Sequence, residues 1–211
     1  MKTIKENQTN EIVIKNSRFI TLLIKINSEE EIKDIIQKVK ITYHDATHYC
    51  YAYVIENINK SSDDGEPAGT AGIPMLNALL KNNLTNILAI TVRYFGGIKL
   101  GAGGLIRAYT KSLTETIKNS KIVEIEKGLE VKIIINYDMQ KSLDYLLKDY
   151  EIISKSYQEQ ITYIVKVPVS FLDKLNNYNT EKVKETYIEK DVEASFSFNC
   201  SFNLLYLISL S

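Results

Sequence analysis

Cysteine is scarce in this chain. Cys50 and Cys200 are the two present, and their wide separation argues against a disulfide-stapled scaffold. Long apolar runs are missing too. None approaches transmembrane length and no apolar h-region follows the N-terminus, so no membrane partner is expected and a cytoplasmic location is. Net charge is also missing, since Lys plus Arg and Asp plus Glu are both 26. That balance argues against a strongly basic protein held to nucleic acid by charge alone. Glycine is rare except in one place. Of nine glycines, only Gly128 lies outside the stretch from Gly65 to Gly104. A chain that avoids glycine elsewhere uses it there for backbone shape.

What remains is ordinary globular material. The chain has 211 residues, 45% of them hydrophobic, enough for one large core or two small ones. Charge is uneven within the neutral total. Up to Lys127 there are 17 basic and 14 acidic residues, a net of +3; from Gly128 on the counts are 9 and 12, a net of −3. Between Asn86 and Lys121 the basic residues Arg93, Lys99, Arg107, Lys111, Lys118 and Lys121 face Glu115 alone. A local positive face is therefore available in a neutral protein.

Hydrophobic periodicity orders the chain as mixed α and β. Glu11 to Lys15 and Arg18 to Ile26 read as strands around a turn at Asn16-Ser17. A helix from Glu29 to Lys40 follows, capped by Ser28 with Glu31 three residues on. Thr47 to Ile58 reads as one strand, with His48, Cys50 and Ala52 on one face and Tyr49, Tyr51 and Tyr53 on the other. A polar loop from Asn59 to Gly69 leads to a helix over Gly72 to Leu80, with Pro74 in its first turn. An apolar strand within Leu84 to Tyr94, a glycine-rich turn to Gly104, a helix to Asn119 and a strand over Ile122 to Glu126 complete the first half. The second half reads β-α-β-β-α-β, the order of a ferredoxin-like sandwich. Its strands fall at Glu130 to Asn136, Ile152 to Tyr157, Ile161 to Val167 and Val192 to Phe198, with a further short strand at Lys182 to Ile188. Asp138 and Ser170 are the expected helix caps. The boundary is expected at Lys127-Gly128. The apolar tail Phe198 to Ser211 reads either as a buried strand or as an unguarded, aggregation-prone end.

Two glycine clusters carry the chemistry. The second runs from Thr91 to Leu105 and joins a strand end to a helix start. Backbone N–H groups there, with Arg93, Lys99 and Arg107, suit an anion such as a phosphate. Gly96, Gly97, Gly101, Gly103 and Gly104 would shape that cradle, or would only let strand and helix pack closely. The spacing fits neither a P-loop nor a dinucleotide fingerprint. The first cluster places Asp63, Asp64 and Glu66 within four residues, just after His48 and Cys50. Crowded carboxylates favour a basic partner or a cation. The alternatives are a mixed His/Cys/Asp metal site, acid–base chemistry by His48 with Asp64 or Glu66, and plain structure, with Cys50 as core and the acids as a solvated turn. No metal and no cofactor are expected. Tyr49, Tyr51, Tyr53, Tyr94 and Tyr109 offer rings for stacking beside basic groups, or for ordinary packing.

These clusters, together with Asn16-Ser17-Arg18-Phe19-Ile20 and His48-Tyr49-Cys50-Tyr51-Ala52-Tyr53, resemble the YigZ/IMPACT family. The resemblance implies a ribosomal protein S5 domain 2-like fold for residues 1–127. For residues 128–211 it implies a ferredoxin-like domain similar to the last domain of elongation factor G. Eukaryotic relatives regulate translation through a protein partner of a stress-responsive kinase and carry an accessory domain that this chain lacks. For bacterial members the resemblance implies a link to RNA or the ribosome and supplies no catalytic residues to carry over. The expectation is thus a translation-associated regulator that binds structured RNA or a ribosome-associated partner. The anion site would be the second cluster, with Asp63, Asp64, Glu66 and Tyr94 facing a partner. The alternatives are an enzyme acting on a phosphorylated small molecule and a protein-docking module.

Overall fold

The structure, a computed structural model, describes residues 1–190. The expected strand Val192 to Phe198, Cys200 and the apolar tail lie outside the described residues. The chain is α+β and divides into two compact units, Met1–Glu124 and Ile125 onward.

The first unit holds strands β1 (Lys2–Ile4), β2 (Gln8–Ile14), β3 (Ser17–Lys25), helix α1 (Glu30–Thr42), β4 (His48–Ile55), β5 (Ile58–Ser62), α2 (Gly72–Lys81), β6 (Ile87–Tyr94) and α3 (Ala102–Lys118). The strand β7 (Ile122–Ile135) leads into the second unit, which adds α4 (Gln140–Leu146), β8 (Glu151–Tyr157), β9 (Ile161–Pro168) and β10 (Asn179–Glu189). The sheet of the first unit runs β2-β3-β6-β4-β5, antiparallel throughout. Both of its faces are covered. Phe19, Leu23, Cys50 and Ala52 pack under α2 and α3, with Met75, Leu79, Tyr109 and Leu113. Ile20, Tyr49, Tyr53, Leu88, Ile90 and Val92 pack under α1, with Ile32 and Val39. A central strand covered on both sides reads as a continuous apolar run, which is why β6 does not alternate. The expected division of β4 into a His48/Cys50/Ala52 face and a tyrosine face is the division between these two cores.

Several local expectations are corrected. The strand expected over Thr47 to Ile58 is a hairpin, because Glu56 adopts φ 49° in a two-residue turn and Asn59 to Ser62 pair back on β4. The polar loop therefore begins only at Asp63. The strands expected over 122–126 and 130–136 are one strand, β7. Gly128 sits within its ladder, paired with Pro168 and Thr186, and a Cβ there would meet Ile188 Cδ1 at 2.4 Å. This glycine serves close packing and interrupts nothing. Asp138 lies within a 3-10 turn (Tyr137–Met139) and Ser170 within another (Val169–Leu175), so neither caps a helix.

In the second unit the strand order is β10-β7-β9-β8, all antiparallel, and β10 supplies the fourth strand of the β-α-β-β-α-β order. Leu143, Leu147, Phe171 and Leu175 cover one face. Across the strands run oppositely charged neighbours. Glu151 pairs with Lys166 at 2.9 Å, and Lys184 with Glu130 at 3.0 Å. Lys166 and Glu130 are themselves in register, so the row neutralises itself and offers little to a polyanion.

Candidate functional site

The acidic loop faces inward. Asp63 accepts the backbone N–H groups of Gly69 at 2.8 Å, Ala71 at 2.9 Å and Gly72 at 2.8 Å. It thereby closes the loop and caps the start of α2, whose own N-cap residue offers no side-chain bond. Burial pushes the Asp63 carboxyl up, but those three N–H donors outweigh it and hold it below its ordinary value. Asp64 accepts the N–H of Tyr49 at 2.7 Å and reaches Lys40 Nζ at 3.4 Å. Gly72 lies so near Ser62 that a Cβ would meet its backbone at 2.8 Å. The glycine thus lets the helix start press against the end of β5. Two of the three carboxylates expected to meet a partner are already bonded to backbone.

The third, Glu66, is only 8% exposed. Its Oε1 accepts from Arg93 Nη1 at 2.5 Å and from the Tyr109 hydroxyl at 2.8 Å. Arg93, expected on an anion-binding surface, is only 5% exposed and belongs to this cluster instead. Its guanidinium lies between the rings of Phe19 and Phe95, each 5.5 Å away. Sheet register explains the meeting, since β6 runs beside β4 with Arg93 opposite His48. The Cys50 thiol lies 3.0 Å from the Asp63 carbonyl and 3.2 Å from the Tyr109 hydroxyl. Burial pushes Cys50 up to about 12, and burial together with Cys50 and Glu66 raises Tyr109 as well. Both therefore stay protonated at neutral pH and act as hydrogen-bonding groups, without thiolate or phenolate character.

His48 stands beside this cluster, with Nε2 3.9 Å from Glu66 Oε2. Its Nδ1 lies 2.9 Å from the Asp64 carbonyl. A carbonyl only accepts, so Nδ1 is the donor in that contact. Its other ring nitrogen, Nε2, is the one near the buried Glu66 carboxylate. His48, Asp64 and Glu66 are thus brought together, with His48 Nδ1 bonded to the loop backbone. No metal-ligating cluster of three or more His, Cys, Asp or Glu occurs among the described residues.

The glycine-rich turn faces outward. Gly96 presses on the hairpin turn between β2 and β3. A Cβ there would meet the Asn16 carbonyl carbon at 2.1 Å, and its N–H donates to Ser17 Oγ at 3.2 Å. Gly97 and Gly101 adopt φ 81° and 70°, which a side chain resists. Gly101 then starts α3, and Gly103 and Gly104 form its first turn. Where hairpin and helix meet, Ile14, Lys15, Leu100, Gly104, Arg107, Ala108 and Lys111 line a groove of about 220 Å³. Lys99 is exposed next to it. Tyr94 is covered by Arg18, whose guanidinium sits 5.1 Å from the ring centroid and is held twice by Glu11.

The family model for the Impact N-terminal domain matches residues 15–117. The chain is 40% identical over 204 residues to the IMPACT family member YvyE of Bacillus subtilis, covering 90% of this chain and 94% of that protein. The chain belongs to the IMPACT family. It is also 34% identical over 188 residues to the family member YigZ of Escherichia coli, covering 84% and 92% of the two chains. A crystal structure described as a hypothetical protein superposes with a TM-score of 0.62 at 30% identity, covering 90% of this chain and 98% of that one. The span matched to the IMPACT domain contains the acidic loop, the buried cluster and the groove cations Lys15, Arg107 and Lys111 together.

Reading the sequence alone left out Lys15, Lys111 and Phe95. Lys15 lies far upstream in a hairpin turn, and only the contact of Gly96 with Asn16 brings it near α3. Lys111 was visible as charge, without a partner surface. Phe95 was hidden among the tyrosines, yet Tyr49, Tyr53 and Tyr109 are buried and Phe95 is 47% exposed.

Proposed function

We propose that this IMPACT-family protein is a non-catalytic, translation-associated regulator that binds the phosphate backbone of structured RNA, free or within the ribosome. The observation that carries the reading is the groove between the β2–β3 turn and α3. Lys15, Arg107 and Lys111 line it, and Lys99 stands beside it. Among the described residues Lys15, Lys99 and Arg107 have no ion pair, while Lys111 is 3.7 Å from Glu115. The acidic loop, the obvious counter-charge, is turned into the protein. A few free cations around a concave surface suit a chain of phosphates in a protein with no net charge. The family resemblance supports the translational setting. The bond of His48 Nδ1 to the Asp64 carbonyl, which ties this residue into the loop, supports binding over catalysis.

The test is binding to ribosomes and to structured RNA across a salt series. Affinity should fall as salt rises, and the Lys15→Ala, Arg107→Ala, Lys111→Ala triple variant should lower the slope by about 0.7–0.9 per phosphate contact removed. Absence of binding to either at low salt, or a triple variant that binds as the parent does, would sink the reading.

A further inference from the structure

Phe95 is the one aromatic among the large exposed apolar side chains of the first unit's described residues. A ring left half in water has an unrealised burial. The backbone that carries this ring is held in place. The N–H of Phe95 donates to Thr47 Oγ1 at 3.1 Å, and the N–H of Gly96 donates to Ser17 Oγ at 3.2 Å. The guanidinium of Arg93 lies 5.5 Å from the ring centroid, and Arg93 is itself fixed by Glu66. The ring thus has a buried cation beside it, while 47% of the residue is exposed. It also stands beside the positive groups. The next residue, Gly96, rests on Asn16, the neighbour of Lys15, and Leu100, four residues further along, lines the cation groove.

We propose that Phe95 is a stacking platform for an unpaired base of bound RNA, with Lys99 and the Lys15–Arg107–Lys111 groove taking the flanking phosphates. This rests on the RNA-binding reading above and adds the class of RNA. Bases within an A-form duplex are already stacked on one another, so a protein ring reaches only bases in loops, bulges or ends. A flat aromatic face accepts any base, so the site discriminates unpaired from paired RNA more than one sequence from another. A ring on a fixed backbone with a fixed guanidinium beside it has less freedom to lose on stacking than an aromatic on a loose loop.

The experiment compares a hairpin carrying 2-aminopurine in its loop with a blunt duplex of the same stem. Both are titrated with the parent protein and with Phe95→Tyr, Phe95→Leu and Phe95→Ala variants whose thermal melts match the parent. The parent should quench the loop fluorophore and prefer the hairpin. Phe95→Tyr should keep both properties. Phe95→Leu, which keeps apolar area without a ring, and Phe95→Ala should each weaken hairpin binding by about 10-fold or more. Duplex binding and the salt slope should not move. Hairpin binding by Phe95→Leu equal to the parent's overturns the inference, as does equal weakening of hairpin and duplex. It is also overturned if Phe95→Ala leaves hairpin binding unchanged, the result expected if the ring docks a protein instead. In those cases the groove reading survives, provided the triple cation variant still loses binding. A parent protein that binds neither RNA at low salt overturns both.

Discussion

The acidic loop and the glycine-rich turn have the same kind of sequence: a cluster of one charge sign set among glycines. In the structure they do opposite things. The loop from Asp63 to Gly72 directs its carboxylates to backbone N–H groups and to a buried arginine. The turn from Phe95 to Gly101 holds its backbone against a neighbouring hairpin and leaves Lys99 and the cations of the adjacent groove outside. The difference is one of side-chain reach. Short acidic side chains satisfy local donors in a tight turn. Lysine and arginine on a helix face and a hairpin tip extend into solvent unless a partner is built for them, and Arg93 is the one for which Glu66 is built.

That contrast breaks most directly at Glu66. Replacing Glu66 by Ala leaves Arg93 buried without its counter-ion, and urea denaturation should show a loss of about 3–5 kcal/mol. Combining Glu66→Leu with Arg93→Met should recover most of it, because removing both charges leaves none unpaired. A single Glu66→Ala variant within about 1 kcal/mol of the parent would mean the loop is not a structural lock.

Asp63 gives an intermediate effect with a pH signature. Its carboxyl is held below the ordinary 3.8 by backbone donors that outweigh its burial. A lowered folded pKa means stability that is fully present above the unfolded value and lost as pH falls through the folded one. Asp63→Asn should cost about 1.5–3 kcal/mol at neutral pH, the range for hydrogen bonds to charged groups. It should also flatten the acid limb of the stability profile below about pH 4. An acid limb identical to the parent's would remove Asp63 from its proposed role.

The groove cations give the smallest change in stability. Lys15→Ala, Arg107→Ala and Lys111→Ala should each shift unfolding by no more than about 0.5 kcal/mol, since each side chain is exposed. A large destabilisation by any of them would show that the turn, like the loop, holds the fold. The comparison would then lose its second half.

Much of the fold was legible. The β-α-β-β-α-β order of the second half follows from turn residues and periodicity, and the short strand expected at Lys182 to Ile188 lies within β10. The two faces of β4 follow from alternation alone. The site was legible in position but not in sense. Glu66 and Arg93 both stood out, and nothing local says that they meet, because 27 residues and two strand pairings separate them. Phe95 went unnoticed because exposure is decided by what covers a ring, and local sequence does not state that.

By itself the sequence determined two α+β halves, the placement of the glycines and the family. These follow from local propensity, period and backbone allowance, which each short stretch carries within itself. Only the tertiary structure decided which charges turn inward. An ion pair, a groove or an exposed ring belongs to residues that the sheet register and helix packing bring together, and register is a property of the whole sheet.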